Sequence, residues 1–478
     1  MSDPIHIGSR LELLLDDHLI ERLSGGATQR LCRPEPRGIA LLCDRPWEGN
    51  ACAYVTVFRD GDECRMYYKG WHLELDGRHT RPLRICLAVS RDGKSWTRPN
   101  VGRFEIEGTR ANNVVFLGEG DDLKGNHGFA PFKDTNPACR PEARYKALGA
   151  SEHCKGGLFA MSCADGVNWT LMQDGPVITL GKFDSQNVAF WDVLRGEYRA
   201  YVRDFENKVR GIRTATSRDF IHWTTPEWLT YPGAPVEQLY TNQIAPYPRA
   251  PHLFIGFPTR YTDRGWDVTT QALPEPEARR LRAKTNPRYG SAVTDGLFMS
   301  SRDGKTFKRW GEAFIRPGLR TAGNWVYGDN YQNWGVVETA GDLPGAPPEL
   351  SFYSTEGYWR GTASVIRRFA LRADGFVAIN APLSGGELLT RPLIFDGARL
   401  LLNLSTSGAG CLRIEIQDPA GSPLPGFALA DGPDMVGDAL DYVALWKDPA
   451  ALAALAGRPV RLRFVMKDAD LYAFRFIK

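Results

Sequence analysis

The chain has 478 residues, of which 43% are hydrophobic and 24% charged, and 59 Lys and Arg against 56 Asp and Glu leave a net charge of +3. That balance supplies no polybasic surface for nucleic acid or an anionic membrane, and no run is apolar for long enough to span a bilayer. The length exceeds a single core, so a large domain plus a smaller one is expected.

Residues Met1 to Arg10 are polar and mixed, and the apolar stretch from Leu11 to Leu15 stops at Asp16-Asp17. No secretory leader is read there, and a cytoplasmic location is expected. The cysteines (Cys32, Cys43, Cys52, Cys64, Cys86, Cys139, Cys154, Cys163 and Cys411) are odd in number and never form a CxxC pair. They read as scattered thiols, and neither a structural metal nor a cofactor is expected.

Residues 10–19 predict an isolated strand. Beyond them a turn motif recurs: Ser90-Arg91-Asp92-Gly93, Ser162-Cys163-Ala164-Asp165-Gly166, Ser217-Arg218-Asp219-Phe220 and Ser301-Arg302-Asp303-Gly304, with a fainter copy at Asp374-Gly375. An aromatic follows within a few positions each time, at Trp96, Trp169, Trp223 and Phe307. Asp-Gly brings a side-chain acceptor and a positive φ, so these are hairpin turns. Upstream of each turn the pattern predicts paired strands: 51–59 with 64–69, 129–133 with 144–149, 187–192 with 198–202, 243–247 with 252–257, and 333–339 with 349–354. Five units of about four strands predict an all-β, five-bladed β-propeller over residues 1–380, with residues 10–19 as its closing strand. Residues 273–287 interrupt the pattern with a helical, Arg-rich insertion, placed over the rim of the fourth blade. From residue 381 the rhythm changes, and short strands at 400–404, 411–417, 460–466 and 471–477 predict a β-sandwich over 381–478.

In a propeller the polar residues that open each innermost strand face a shared pocket. Those openings carry Glu48 and Asn50, then His127, then Asp184, Gln186 and Asn187, then Glu237, Tyr240 and Asn242, then Asp329, Tyr331, Asn333 and Trp334. Carboxamides and acids match sugar hydroxyls, and aromatic faces match sugar rings. Converging acids also suit acetal hydrolysis, in which one carboxyl protonates the leaving oxygen and another serves as nucleophile or base.

This order of elements resembles the five-bladed glycosidases of glycoside hydrolase families 32, 43 and 68, and the final segment resembles the appended module of family 32. The resemblance implies an acid on the first blade at Glu48, another on a middle blade at Asp184 and an acid/base at Glu237. The family's first-blade Asp-Pro is replaced by Trp47-Glu48-Gly49-Asn50, and its Arg-Asp-Pro by Phe183-Asp184-Ser185. Asp16-Asp17 and Arg203-Asp204-Phe205 offer rival placements for the first and middle acids. Three functions follow: a glycosidase acting through Glu237, Asp184 and Glu48; an inverting phosphorylase with phosphate on Arg203, Arg260 and Arg264; and a non-catalytic carbohydrate-binding propeller. In each, Asn50, His127, Gln186, Asn187, Tyr240, Asn242, Tyr331, Asn333 and Trp334 line the sugar site. Each has a plainer alternative: Glu48 suits a loop anchor, Glu237 a solvated loop, Asp184 a turn cap and His127 a hydrogen-bonded core histidine.

Overall fold

The computed structural model describes residues 3–79, 81–120 and 122–478. Nearly half of the chain is strand, and helix is a minor part at 6%. It divides into two compact units, one of residues 34–342 and 349–370, the other of residues 1–33, 343–348 and 371–478.

The larger unit holds five antiparallel four-stranded sheets in chain order. The first comprises Ala53–Asp60, Glu63–Gly70, Arg84–Ser90 and Val114–Phe116; the second His127–Lys133, Tyr145–Ala150, Leu158–Cys163 and Thr170–Leu171. The third comprises Val188–Asp192, Glu197–Glu206, Val209–Ser217 and Glu227–Trp228, and the fourth Ala245–Tyr247, Ala250–Gly256, Met299–Ser301 and Lys308–Arg309. The fifth takes Val337–Thr339, Glu349–Glu356 and Ser364–Arg372, and its outer edge is completed by Glu35–Cys43 from early in the chain. Residues 35–43, and not 10–19, thus form the edge of this sheet. Residues 10–19 belong to the smaller unit, where Glu12–Leu13 pairs with Arg461–Ile477.

The repeated turns explain how the sheets are spaced. Asp92, Asp165, Asp219 and Asp303 each accept two backbone N–H groups from the residues two and three ahead. The residue after each Asp has positive φ, which suits Gly93, Gly166 and Gly304; Phe220 adopts it at +71°. The indoles of Trp169 and Trp223 fold back and donate to the carbonyls of Gly166 and Phe220. A neighbouring sheet fastens three of these four turns. Tyr67 of the first sheet donates to Gly166 O of the second, Tyr201 of the third to Gly304 O of the fourth, and Tyr353 of the fifth to Gly93 O of the first.

The predicted insertion is helical at Val268–Gln271, Pro276–Thr285 and Arg288–Ser291. It reaches past the fourth sheet: Thr285 donates to Asp76 O, Arg279 to Trp325 O, and Glu275 pairs with Arg360. In the smaller unit the four predicted short strands merge into two long ones, Arg399–Gln417 and Arg461–Ile477, paired along most of their lengths. Leu402, Ile414, Phe464 and Phe476 on these strands are fully buried in its core.

Candidate functional site

Asp184 sits on the loop that leads into the third sheet. Asn187 holds this loop by donating to Phe183 O and Ser185 O, and Ser185 Oγ donates to Tyr240 O. Gly128, at φ +64°, lets the second sheet approach so closely that a Cβ there would lie 2.1 Å from Ser185 O. The approach brings His127 Nε2 to 3.2 Å from the Asp184 carboxylate, and Arg203 Nη2 lies 4.0 Å from it. His127 and Arg203 are buried, as is Lys69, yet the Asp184 side chain is 59% exposed. The carboxylate is thus open to solvent although the partners around it are buried. Crowding by protein pushes its pKa up, but His127, Arg203 and Lys69 outweigh this and hold it at about 2.

Five tyrosines surround this group. Tyr54 comes from the first sheet, Tyr240 from the approach to the fourth, and Tyr327, Tyr331 and Tyr358 from the fifth sheet and its connections. Tyr331 lies 5.2 Å from Tyr240 and 6.2 Å from both Tyr54 and Tyr358, between ring centres, and the Tyr327 and Tyr240 hydroxyls are 3.3 Å apart. Burial raises the pKa of all five, so each remains a neutral hydroxyl donor. Beneath them Gln186, Gln243 and Gln332 join the sheets. Gln186 donates to Tyr54 O and Thr56 Oγ1, Gln243 to Gln186 Oε1 and Gln332 O, and Gln332 to Leu297 O.

Of the predicted residues, Asp184, His127, Tyr240 and Tyr331 meet here. Glu48 does not. It is wholly buried and accepts from Arg98 Nε and Nη2 at 2.8 and 2.9 Å, from Arg45 N at 3.0 Å and from the Tyr68 hydroxyl. Every lone pair with a use is taken, so it is a structural anchor. Glu48→Ala is expected to cost about 3 kcal/mol of stability, because it strands Arg98, as urea unfolding would register. Glu237 also lies elsewhere. Arg260 at 2.8 Å and Arg309 grip its two oxygens, and it lines a separate hollow with Asp295, Arg264 and Arg316. The three acids thus do not converge.

The carboxamides proved to be braces. Asn50 bonds Leu73 and Gly361, Asn242 bonds Tyr201 O, and Asn333 bonds Gly335 O and Tyr353 N. Gln186 and Asn187 are committed as described above, and the Trp334 indole donates to Ile244 O. Arg260 is consumed by Glu237 and Asp295, which removes it from any shared phosphate site with Arg203.

Sequence reasoning missed Lys69, Tyr54, Tyr327 and Tyr358. It also missed the chemistry of Asp329, named only as one of the strand openings. The Asp329 carboxyl is buried, with Tyr358 N donating to Oδ1 at 2.8 Å and no hydrogen bond to Oδ2 among the described residues. Burial, aided by the Glu356 charge, holds its pKa well above the usual carboxylate range against the pull of Arg282 and Arg279. Cys154 also joins: its Sγ, His127 and Asp184 place donor atoms within 4.8 Å of one another. These residue types suit a metal, and the charges of Arg203 and Lys69 also act on the same carboxylate. Burial and the Asp184 charge push the Cys154 thiol up to about 12.

No protein-family model and no curated protein matches the chain. Among solved structures it is similar to a protein described within the GH130 family of mannoside phosphorylases and glycoside hydrolases, at 12% identity and a TM-score of 0.42, over 75% of this chain and 96% of that one. It is also similar to an endo-arabinase from Bacteroides thetaiotaomicron (10% identity, TM-score 0.40, 69% and 96% covered). A third is an N-acetylgalactosamine deacetylase from F. plautii (12%, 0.41, 72% and 95%).

Proposed function

We propose that the larger unit is a five-bladed β-propeller, the smaller a β-sandwich, and the protein a glycosidase working in the tyrosine-lined hollow. The tyrosine-to-turn bonds from the fifth sheet to the first, the first to the second and the third to the fourth support a ring. So does the contact between the first and fifth sheets at Val57 N and Trp334 O, 2.8 Å apart. The single observation that carries the function is Asp184: an ionised carboxylate open to solvent among neutral hydroxyl donors and ring faces. Ring faces bind the apolar faces of sugars, hydroxyl donors bind their oxygens, and the carboxylate acts as nucleophile or water-activating base. We assign the proton for the leaving oxygen to Asp329, whose buried carboxyl is held well above the usual carboxylate range.

Residues far from the hollow carry no chemistry in this scheme. Glu237→Gln is expected to leave kcat/KM within about twofold of the parent, in line with surface changes outside a site. The reading is tested by incubating the protein with panels of aryl glycosides and plant and algal oligosaccharides, with and without phosphate. Release of reducing sugar, independent of phosphate, supports hydrolysis. Phosphate-dependent release of a sugar phosphate would replace it with phosphorolysis, and binding without turnover would leave a carbohydrate-binding propeller.

A further inference from the structure

The hollow holds more positive charge than its own carboxylate can balance. Lys69, at the end of Glu63–Gly70, is buried with its ammonium 4.6 Å from the Tyr54 ring centre and 4.1 Å from that of Trp71. Among the described residues it makes no hydrogen bond and no ion pair. Two ring faces recover less than a buried ammonium loses on leaving water. Arg203 is in a similar position. Its Nε donates to Lys182 O at 2.8 Å, while its terminal nitrogens make no hydrogen bond among the described residues and come no nearer to Asp184 than 4.0 Å. The guanidinium stacks 5.2 Å from the Tyr240 ring centre, which fixes its plane towards the tyrosines. Two fixed cations thus share one carboxylate, and neither is close enough to be neutralised by it.

Such an arrangement is poor for a neutral sugar, since polar hydroxyls leave both cations desolvated without a counter-charge. It is good for a sugar that brings its own anion, because charge-assisted hydrogen bonds are the stronger class. Resting on the glycosidase reading above, we infer that the substrate is an acidic saccharide whose carboxylate or sulfate lies between Lys69 and Arg203, with the bond to be cleaved at Asp184. Burial has already brought the Lys69 ammonium down to about 8, and an anion beside it would draw it back up.

Calorimetric titration of the full chain tests the inference. The probes are oligogalacturonides and sulfated galactan oligosaccharides, each beside its carboxyl-reduced or desulfated counterpart. One of the two anionic probes is expected to bind at least about tenfold more tightly than its neutral counterpart, and which one does so distinguishes carboxylate from sulfate. Lys69→Met should erase that preference and Lys69→Arg should retain it; the comparison within the parent protein stands even if Lys69→Met fails to fold. Equal or tighter binding of the neutral counterparts, with turnover of a neutral glycoside that Asp184→Asn abolishes, overturns the acidic substrate and leaves the glycosidase. Binding and turnover of neither set overturns both.

Discussion

Asp184→Asn is expected to lower kcat by about 10²–10⁴-fold, the range a positioned acid or base contributes. Asparagine keeps the shape and the approach to His127 while removing the charge, so the loss reports the carboxylate and not the loop. Binding should survive, because the five tyrosines and the Asn187 brace on the loop are untouched. The pH dependence follows from the same environment. With its pKa at about 2, Asp184 is ionised throughout the range in which the protein is folded and active, so it contributes no fall in kcat/KM between pH 4 and 7. The stability linkage has the matching sign. The folded value lies below the unfolded one, so the contribution is present above the unfolded pKa and lost as pH falls through about 2. Asp184→Asn should therefore lose stability relative to the parent at pH 7, and the gap should close in strong acid. A pH profile of the parent and urea unfolding of both proteins test the two statements. An acid limb that tracks Asp184 near pH 4 to 5 would mean that His127 and Arg203 do not act on it as described.

What could be read from the sequence was whatever is written in local chemistry. The Asp-centred turns at Asp92, Asp165, Asp219 and Asp303 fix their own backbones through bonds two and three residues long, so the motif predicts the structure directly. Hairpins flanking them followed, and the described residues hold five four-stranded sheets. The closing strand was not legible in the same way. Residues 35–43 and 10–19 are both short and partly apolar, and only pairing across more than 300 residues selects the former. Reading strand openings for acids put Glu237 first, with Asp184 and Glu48 beside it. What separates them is the position of distant arginines: Arg98, 50 residues from Glu48, and Arg260 and Arg309, 23 and 72 residues from Glu237. Lys69 and Tyr54 lie inside strands whose pattern is that of ordinary core, and no local feature marks a lysine that ends among aromatic rings. Carboxamides misled for a physical reason. An Asn or Gln at a strand opening can serve a ligand or close the backbone, and Asn187, Asn242 and Asn333 all satisfy main-chain groups that the bend into the sheet leaves open.

Asp329→Asn is expected to give a protein that is more stable and far less active, a combination that separates a working acid from a structural one. A buried carboxyl with a raised pKa favours its neutral form in the folded state. Its contribution is then fully present below the unfolded pKa and lost as pH rises towards the folded value, so at neutral pH it costs stability. Asparagine keeps an acceptor for Tyr358 N and carries no proton to lose. Stability at pH 7 should rise by about 1 kcal/mol, the scale on which proteins exchange stability for activity, and the difference should shrink as pH falls below about 4, where the unfolded Asp is protonated as well. Catalysis should respond according to the leaving group. Alkyl glycosides and natural oligosaccharides need a proton delivered to the departing oxygen and should slow by about 10²–10⁴-fold, while aryl glycosides with acidic phenols need little help and should slow far less. If Asp329→Asn is instead destabilised at pH 7 and turns over both substrate types as the parent does, Asp329 is a brace for the Tyr358 backbone and the proton comes from another group. Lys69 would then be the next to test, since an ammonium brought to about 8 can still donate at neutral pH.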